Sequence, residues 1–144
     1  TASSYVATHQ PQRVLTIPEG SWGAGGTHFT WHNGDVAWMW EPIHEAEERM
    51  ETLAAQYSAP NEAENTVLNQ AARELLLMQS SDWPFLVTTG QAREYAIQRF
   101  SQHLERFNRL VDSLDAGTPD VDYADEIYEL DKVFPDMDYR WFSA

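Results

Sequence analysis

The sequence predicts an all-α protein: a helical bundle of three long and one or two short helices with an irregular Gly/Trp-rich N-terminal arm. In residues 35–134, apolar side chains recur at three- and four-residue steps, the spacing of one helix face. In residues 1–34, two prolines and a run of close glycines favour irregular backbone. We therefore expect residues 1–144 to form a single domain, divided into an arm and loop (1–34), a bundle (35–134) and a tail (135–144).

The first two helices are predicted from their apolar stripes and end signals. Asp35 is the expected N-cap of a helix that runs to about Tyr57. Pro60 suits the first turn of the second helix, which ends near Ser80 and Ser81. The two stripes consist of Val36, Trp40, Ile43, Met50, Ala54 and Tyr57, and of Val67, Leu68, Ala71, Leu75 and Met78.

The remaining elements follow in order. Ser81 can cap a short turn that carries Trp83, Pro84 and Phe85, of which Trp83 and Phe85 are predicted to be core residues. The third long helix has the most regular pattern and closes at 117–119; its stripe is Ala92, Ala96, Phe100, His103, Phe107, Leu110 and Leu114. Asp122 is the expected cap of a last short helix that contains Ile127, Leu130 and Phe134. Residues 13–17 predict either a short strand or an extended arm.

Charge and composition exclude several classes of partner. A net charge of -14 repels phosphate, so neither nucleic acid nor an anionic membrane is an expected partner. The chain has no cysteine, which fits a reducing compartment. The N-terminus does not resemble a signal peptide, and the longest apolar run, residues 75–78, is too short to span a bilayer. We therefore expect a cytoplasmic location.

Three motifs suggest chemistry that the residues do not support. Residues 20–27 are close to a phosphate-binding P-loop, but Gly26 stands where its lysine is required. His44 and Glu45 begin a zinc-protease pattern, but position 48 is Glu. The acids of residues 41–51 and 120–138 are most simply solvated surfaces. The sequence predicts no metal, no cofactor and no catalytic residue within this chain.

The Gly/Trp-rich loop is harder to explain by packing alone. Trp22 and Trp31 flank its glycines, with His28, His32 and Asn33 nearby. An exposed indole can stack on the apolar face of a pyranose ring, while polar neighbours bind its hydroxyls. The alternative is that both indoles cap the helical core.

Three ordered motifs stand out in the first 110 residues: residues 18–23 with 31–33, residues 68–77, and residues 79–85 continuing through 89–92, 95–96 and 99–100. Together they resemble the region that follows the catalytic barrel in family 57 glycoside hydrolases of the glucan-branching kind. The resemblance covers about residues 3–110 and is less distinct beyond Asp112. It implies that Trp22, Trp31, Asp82 and Gln91 contact the glucan. Asp82 as a turn cap, and Gln91 as an ordinary first-turn residue, are the alternatives.

The resemblance also implies a reaction and two partners. Such enzymes break an α-1,4-glucan bond by a retaining mechanism and rejoin the segment through an α-1,6 linkage, with both catalytic carboxylates in the N-terminal barrel. The implied partners are therefore an α-glucan and the N-terminal catalytic barrel of the same polypeptide, which this chain lacks. A 4-α-glucanotransferase or an α-amylase of the family, or a stand-alone carbohydrate-binding or interaction module, remains an alternative. A fragment should expose an apolar patch where the barrel docks.

Overall fold

The computed structural model describes residues 1–143, which form an all-α bundle and contain no β-strand. This confirms the predicted fold class. The helices are α1 (Ala2–Thr8), α2 (Trp40–Gln56), α3 (Glu62–Met78), α4 (Asp82–Thr89), α5 (Arg93–Asp115) and α6 (Val121–Leu130). Single 3-10 turns occupy Ala24–Gly26, Ala37–Met39 and Tyr139–Phe142.

Helix α3 is the centre of the bundle, because α2, α5 and α6 all pack against it. Its buried apolar residues point in more than one direction around the axis, as expected for a helix covered on several sides; they are Val67, Leu68, Ala71, Ala72, Leu75 and Met78. The predicted stripe of α5 is buried from Ala96 to Leu114, including His103. Helix α4 lies against α5 and completes one end of the bundle.

The helix starts differ from the predicted caps for local reasons. Helix α2 begins at Trp40 rather than after Asp35, because a separate 3-10 turn, Ala37–Met39, precedes it; the Asp35 carboxylate pairs instead with Arg93 at 3.2 Å. Asn61 caps α3 in a reciprocal capping box with Glu64. Asp120, not Asp122, caps α6 by accepting a hydrogen bond from the Tyr123 backbone N–H.

The arm contains one helix that the sequence analysis did not predict. Helix α1 has no proline or glycine, and the Thr1 hydroxyl caps it by accepting from the Ser4 backbone N–H at 3.2 Å. Beyond it, residues 10–20 are exposed and have no regular structure, so residues 13–17 form an extended arm and not a strand.

The tail is part of the packed core rather than an appendage. Met137 and Tyr139 are buried, and the Tyr139 backbone N–H donates to Asn69 Oδ1 at 2.9 Å. The Tyr139 hydroxyl donates to the Tyr57 carbonyl at the end of α2. Helix α6 ends at Leu130, before the predicted Phe134, whose φ of 50° and following proline are incompatible with a continuing helix.

Within residues 1–143, none of the helices has both the length and the apolar character that a membrane crossing requires.

Candidate functional site

Three aromatic side chains form a surface cluster at one end of α4. The ring centroids of Trp22 and Trp31 are 5.3 Å apart in an edge-to-face arrangement. Phe85 of α4 lies 5.9 Å from Trp22 and 6.4 Å from Trp31. We call Trp22, Trp31 and Phe85 the aromatic cluster. Such ring geometries are favourable beyond the area they bury, so the cluster holds its members in fixed relative positions.

The loop that carries Trp22 is shaped by its own hydrogen bonds and glycines. The Ser21 backbone N–H donates to the Gly26 carbonyl at 3.0 Å, and the Ser21 hydroxyl accepts from the Gly23 N–H at 3.1 Å. A Cβ on Gly23 would lie 2.7 Å from Thr30 Oγ1 and 2.9 Å from the Trp31 ring. Gly23 therefore allows the close approach of the two tryptophans.

Hydrogen bonds from side chains fix the loop to the bundle. The Trp31 indole N–H donates to the Ser81 carbonyl at 3.2 Å, directly before α4. The Trp31 carbonyl in turn accepts from the Trp40 indole N–H of α2 at 2.9 Å. Asn33 Nδ2 donates to the Thr88 hydroxyl at 2.8 Å. The loop is thus bonded to both α2 and α4.

Exposure separates the members of the aromatic cluster. Trp22 is 79% exposed, whereas Trp31 and Phe85 are partly buried beneath and beside it. The prediction that Phe85 is a core residue is therefore wrong. The same prediction is confirmed for Trp83, which packs against the core and donates its indole N–H to the Leu77 carbonyl at 2.8 Å.

The other two predicted site residues lie at opposite ends of α4. Asp82 is the exposed first residue of the helix, next to Ser81 and therefore at the end where the cluster sits. Its carboxylate has no hydrogen-bond partner among residues 1–143. Gln91 is also exposed, but it follows Gly90, whose φ of 73° ends the helix. The eight residues of α4 separate it from Asp82 by about 12 Å at 1.5 Å per residue.

A cavity that the sequence did not suggest adjoins the cluster. Its volume is about 270 Å³, and it is lined by Met39, Trp40, Ile43, Glu47, Gln79, Ser80, Ser81 and Pro84. Glu47 had been assigned to a solvated acidic face. Instead it is half-buried and accepts from Gln79 Nε2 at 2.6 Å. The contact joins residues 32 positions apart, which helical periodicity does not reveal.

A second feature missed by the sequence analysis is a network of charged groups inside the bundle. Glu74 and His103 are fully buried, and His103 Nδ1 lies 2.6 Å from the Glu74 carboxylate. Asp131 accepts from Arg99 and from Arg106, each at 2.9 Å. We call these five residues the buried ionic network. Arg106 joins its two halves, because it also approaches Glu74 at 3.9 Å.

Electrostatics within the network follows from burial and pairing. Burial acts to raise the pKa of Asp131, but the hydrogen bonds from Arg99 and Arg106 outweigh it and hold that pKa below its ordinary value. The neighbouring Arg73 has a lowered pKa because it is buried; its guanidinium donates to the Val133 carbonyl at 2.8 Å and the Phe134 carbonyl at 3.2 Å. These bonds tie the chain beyond α6 to α3.

The aromatic cluster does not resemble a catalytic centre in its chemistry. No group of three or more His, Cys, Asp or Glu side chains within residues 1–143 could hold a metal ion. Asp82, the acid at the start of α4, is exposed and has no side-chain partner among the described residues. The rings of the cluster present apolar faces on which another flat apolar surface can stack.

The fold and the cluster together define an all-α domain, a helical bundle that carries a group of contacting aromatic rings at its surface. Residues 42–142 match the family model described as "1,4-alpha-glucan branching enzyme, C-terminal". The chain belongs to this family.

Curated relatives and solved structures agree with this assignment. The chain is 43% identical over 124 residues to a 1,4-α-glucan branching enzyme of Thermococcus kodakarensis, covering 83% of this chain and 18% of that protein. It is 31% identical over 113 residues to a probable 1,4-α-glucan branching enzyme of Mycobacterium tuberculosis, covering 74% of this chain and 22% of that one. The chain thus spans about a fifth of the curated relatives that it matches.

Two solved structures share the fold. A GH57-type branching enzyme of Pyrococcus horikoshii superposes with a TM-score of 0.83 at 39% identity, over 99% of this chain and 28% of that one. The α-amylase AmyC of Thermotoga maritima superposes with a TM-score of 0.79 at 34% identity, over 100% of this chain and 26% of that one. The same helical fold therefore occurs in a branching enzyme and in an α-amylase.

Proposed function

We propose that this chain works as the C-terminal domain of a 1,4-α-glucan branching enzyme and that its aromatic cluster contacts the glucan. The observation that carries the proposal is the 79% exposure of Trp22, whose ring is nevertheless held in place by Trp31 and Phe85. An exposed indole that does not have to be ordered on binding can stack on a glucose ring at little entropic cost. A crystal structure of the Thermococcus kodakarensis relative contains glucose, which agrees with such a ligand.

In this proposal the chain positions the glucan and does not itself break or form bonds. The catalytic carboxylates would belong to an N-terminal barrel of the same polypeptide. In this chain, residues 1–34 would face the substrate, and the bundle (35–134) with the tail (135–144) would support them. The bundle would form one wall of the cleft. Holding an acceptor chain there and excluding water favours glucosyl transfer over hydrolysis.

We expect Trp22 and Asp82 to make the principal contacts with the glucan. Trp22 and Asp82 are exposed at the same end of α4, where the stacked ring and a carboxylate can contact one sugar unit together. Trp31 supports Trp22 and borders the same surface. Gln91, at the far end of α4, would contact a different unit of the chain.

The exposed apolar side chains of the arm are an argument for the barrel as a partner of this chain. Val14 is fully exposed, and Leu15 and Ile17 are mostly so, which leaves an apolar segment uncovered in this chain. Burying it against a neighbouring domain would be favourable. A cytoplasmic location stays a prediction from the sequence.

An α-amylase activity is the second candidate, favoured by the superposition on the Thermotoga maritima enzyme. Branching is preferred because the matching family model and both curated relatives named above carry that description. The two activities differ in the acceptor, a sugar hydroxyl or water. Assaying the complete gene product on amylose for new α-1,6 linkages and for free reducing ends therefore separates them.

The test of the cluster is Trp22→Ala in the complete gene product. We expect branching of amylose to fall about tenfold or more, because one stacked ring contributes on the order of 1–3 kcal/mol. Thermal unfolding should hardly change, since the side chain is mostly exposed. The matched control is Trp141→Ala, which removes a 64% exposed indole outside the cluster. Unchanged branching in folded Trp22→Ala would refute the proposal.

A further inference from the structure

The cavity of about 270 Å³ beside the aromatic cluster has walls of two kinds. Its floor is apolar and rigid: Met39, Ile43 and Pro84 are buried, and Trp40 is partly buried against the core. Such a floor can accept the C–H face of a ring. Small-molecule sites typically combine walls of this kind with a few well-placed polar groups.

The other end of the cavity is polar and already ordered. One oxygen of Glu47 accepts from Gln79 Nε2 at 2.6 Å, and the other lies 2.9 Å from His44 Nδ1. These bonds fix the carboxylate, yet they use only two of its roughly four lone-pair positions. Ser80 also lines the cavity. The polar end can therefore accept further hydrogen bonds from a ligand without rearranging.

The chemistry of the walls narrows the ligand class. An anion would meet the Glu47 carboxylate in a chain of net charge -14, so it would be repelled. A purely apolar group, such as an aliphatic side chain of a docking domain, would exclude water from the remaining lone pairs of Glu47 without replacing its hydrogen bonds, which is costly. A pyranose ring has an apolar face and a rim of hydroxyl donors. It matches both walls at once.

Two residues that line the cavity are hydrogen-bonded to Trp31 of the aromatic cluster. Ser81 lines the cavity and its carbonyl accepts the Trp31 indole N–H. Trp40 lines the cavity and donates its own indole N–H to the Trp31 carbonyl. The cavity and the aromatic cluster are therefore linked through Trp31. A chain of linked sugars that rests on Trp22 can continue into the cavity.

We propose that the cavity between α2 and the start of α4 is a second glucose-binding subsite, in which Glu47 accepts hydrogen bonds from sugar hydroxyls. The inference rests on the proposed function, because it extends the same glucan surface. Its volume is slightly below the range typical of drug-sized ligands, so it holds one ring rather than several. The domain would thus fix the direction of a glucan chain, which a single stacking ring cannot do.

The experiment compares Glu47→Gln with Glu48→Gln in the complete gene product by isothermal titration with maltose and with maltoheptaose. Glu48 is the matched control, an exposed neighbour on the same helix. We expect Glu47→Gln to weaken maltoheptaose binding about tenfold, the usual loss for a hydrogen bond to a charged group. Maltose, short enough to remain on the cluster, should change less than twofold. Glu48→Gln should behave like the unsubstituted protein with both sugars.

A second variant and the Trp22→Ala protein separate the outcomes. Ser80→Leu fills the cavity while keeping Glu47, and it should produce the same loss for maltoheptaose. Wild-type maltoheptaose affinity in Glu47→Gln and Ser80→Leu, together with weakened binding in Trp22→Ala, would overturn the subsite and leave the proposed function standing. Wild-type affinity in all three would overturn both. Equal losses of affinity for maltose and maltoheptaose in Glu47→Gln would contradict the proposal that one glucan chain runs from Trp22 into the cavity.

Discussion

The aromatic cluster and the buried ionic network reverse the usual distribution of side chains. The indole of Trp22 is 79% exposed to solvent, whereas the polar side chains of Glu74 and His103 are fully buried. An exposed ring is available for a ligand and contributes little to stability. An enclosed acid must be paired where it stands, so it favours one arrangement of helices over others. The comparison places the side chains that are free to meet a ligand beside α4, and the paired charges that favour one helix arrangement between α3, α5 and the residues after α6.

The most damaging change should be the loss of one partner inside the network. In Glu74→Ala, His103 and the amide of Gln70 lose the carboxylate that they contact at 2.6 and 2.8 Å. We expect the free energy of unfolding to fall by about 3–5 kcal/mol, or the melting temperature by about 10 °C. Denaturant titration of Glu74→Ala beside the exposed Glu48→Ala measures it.

The same variant probes whether the two regions are independent. Where Glu74→Ala is still folded, maltoheptaose affinity should equal that of the unsubstituted protein. A stability loss below about 1 kcal/mol would contradict the role given to the network. A parallel loss of sugar affinity would show that the two regions are coupled.

The sequence predicts much of the bundle and less of these two regions. The stripe of α5 is strongly periodic, and its predicted members from Ala96 to Leu114 are all buried, His103 included; Ala92 lies before the helix and is only partly buried. Periodicity reports which positions are buried but not which groups meet, so the pairing of His103 with Glu74, 29 residues away, was out of reach. Helix α1 was missed because two prolines nearby suggested irregular backbone throughout the arm.

The site shows the same limit. Trp22, Trp31 and Asp82 were selected through a resemblance to known enzymes, and their role stays a prediction. Phe85 and Glu47 were misplaced for a common reason. Each owes its position to a loop or helix distant in sequence: Phe85 to the packing of Trp22 above it, and Glu47 to Gln79. A helical pattern describes one helix at a time and does not contain these contacts.

A smaller, pH-dependent loss of stability is expected when the Asp131 carboxylate is removed. Asp131 has a lowered pKa in the folded state, so its contribution is fully present above its unfolded value, near 3.8, and is lost as the pH falls through the folded pKa. Asp131→Asn should therefore cost about 1–2 kcal/mol at neutral pH. The difference from the unsubstituted protein should shrink below pH 3.8. Urea titrations from pH 7 to pH 2.5 test this, with the exposed Asp136→Asn as control. A difference that does not vary with pH would contradict it.

The smallest expected effect comes from Gly23→Ala, which should alter the shape of the loop, and therefore sugar affinity, but not the stability of the bundle. In Gly23→Ala the new methyl group would collide with Thr30 and the Trp31 ring, so the cluster must shift. We expect maltoheptaose affinity to fall about fivefold, equivalent to about 1 kcal/mol of lost ring contact. The melting temperature should stay within about 3 °C. Gly34→Ala is the matched control, because a Cβ there meets nothing within 4 Å. Equal affinities of the two variants would show that the cluster does not need its present geometry.

The edge-to-face pair of Trp22 and Trp31, 5.3 Å apart and inclined at 76°, also has a spectroscopic consequence. Two indole transitions at that separation and angle couple, and coupled transitions produce a paired band in far-ultraviolet circular dichroism. The loop therefore carries an optical signal of its own position. A change in that band on adding sugar would follow the motion of the loop in solution without any attached label.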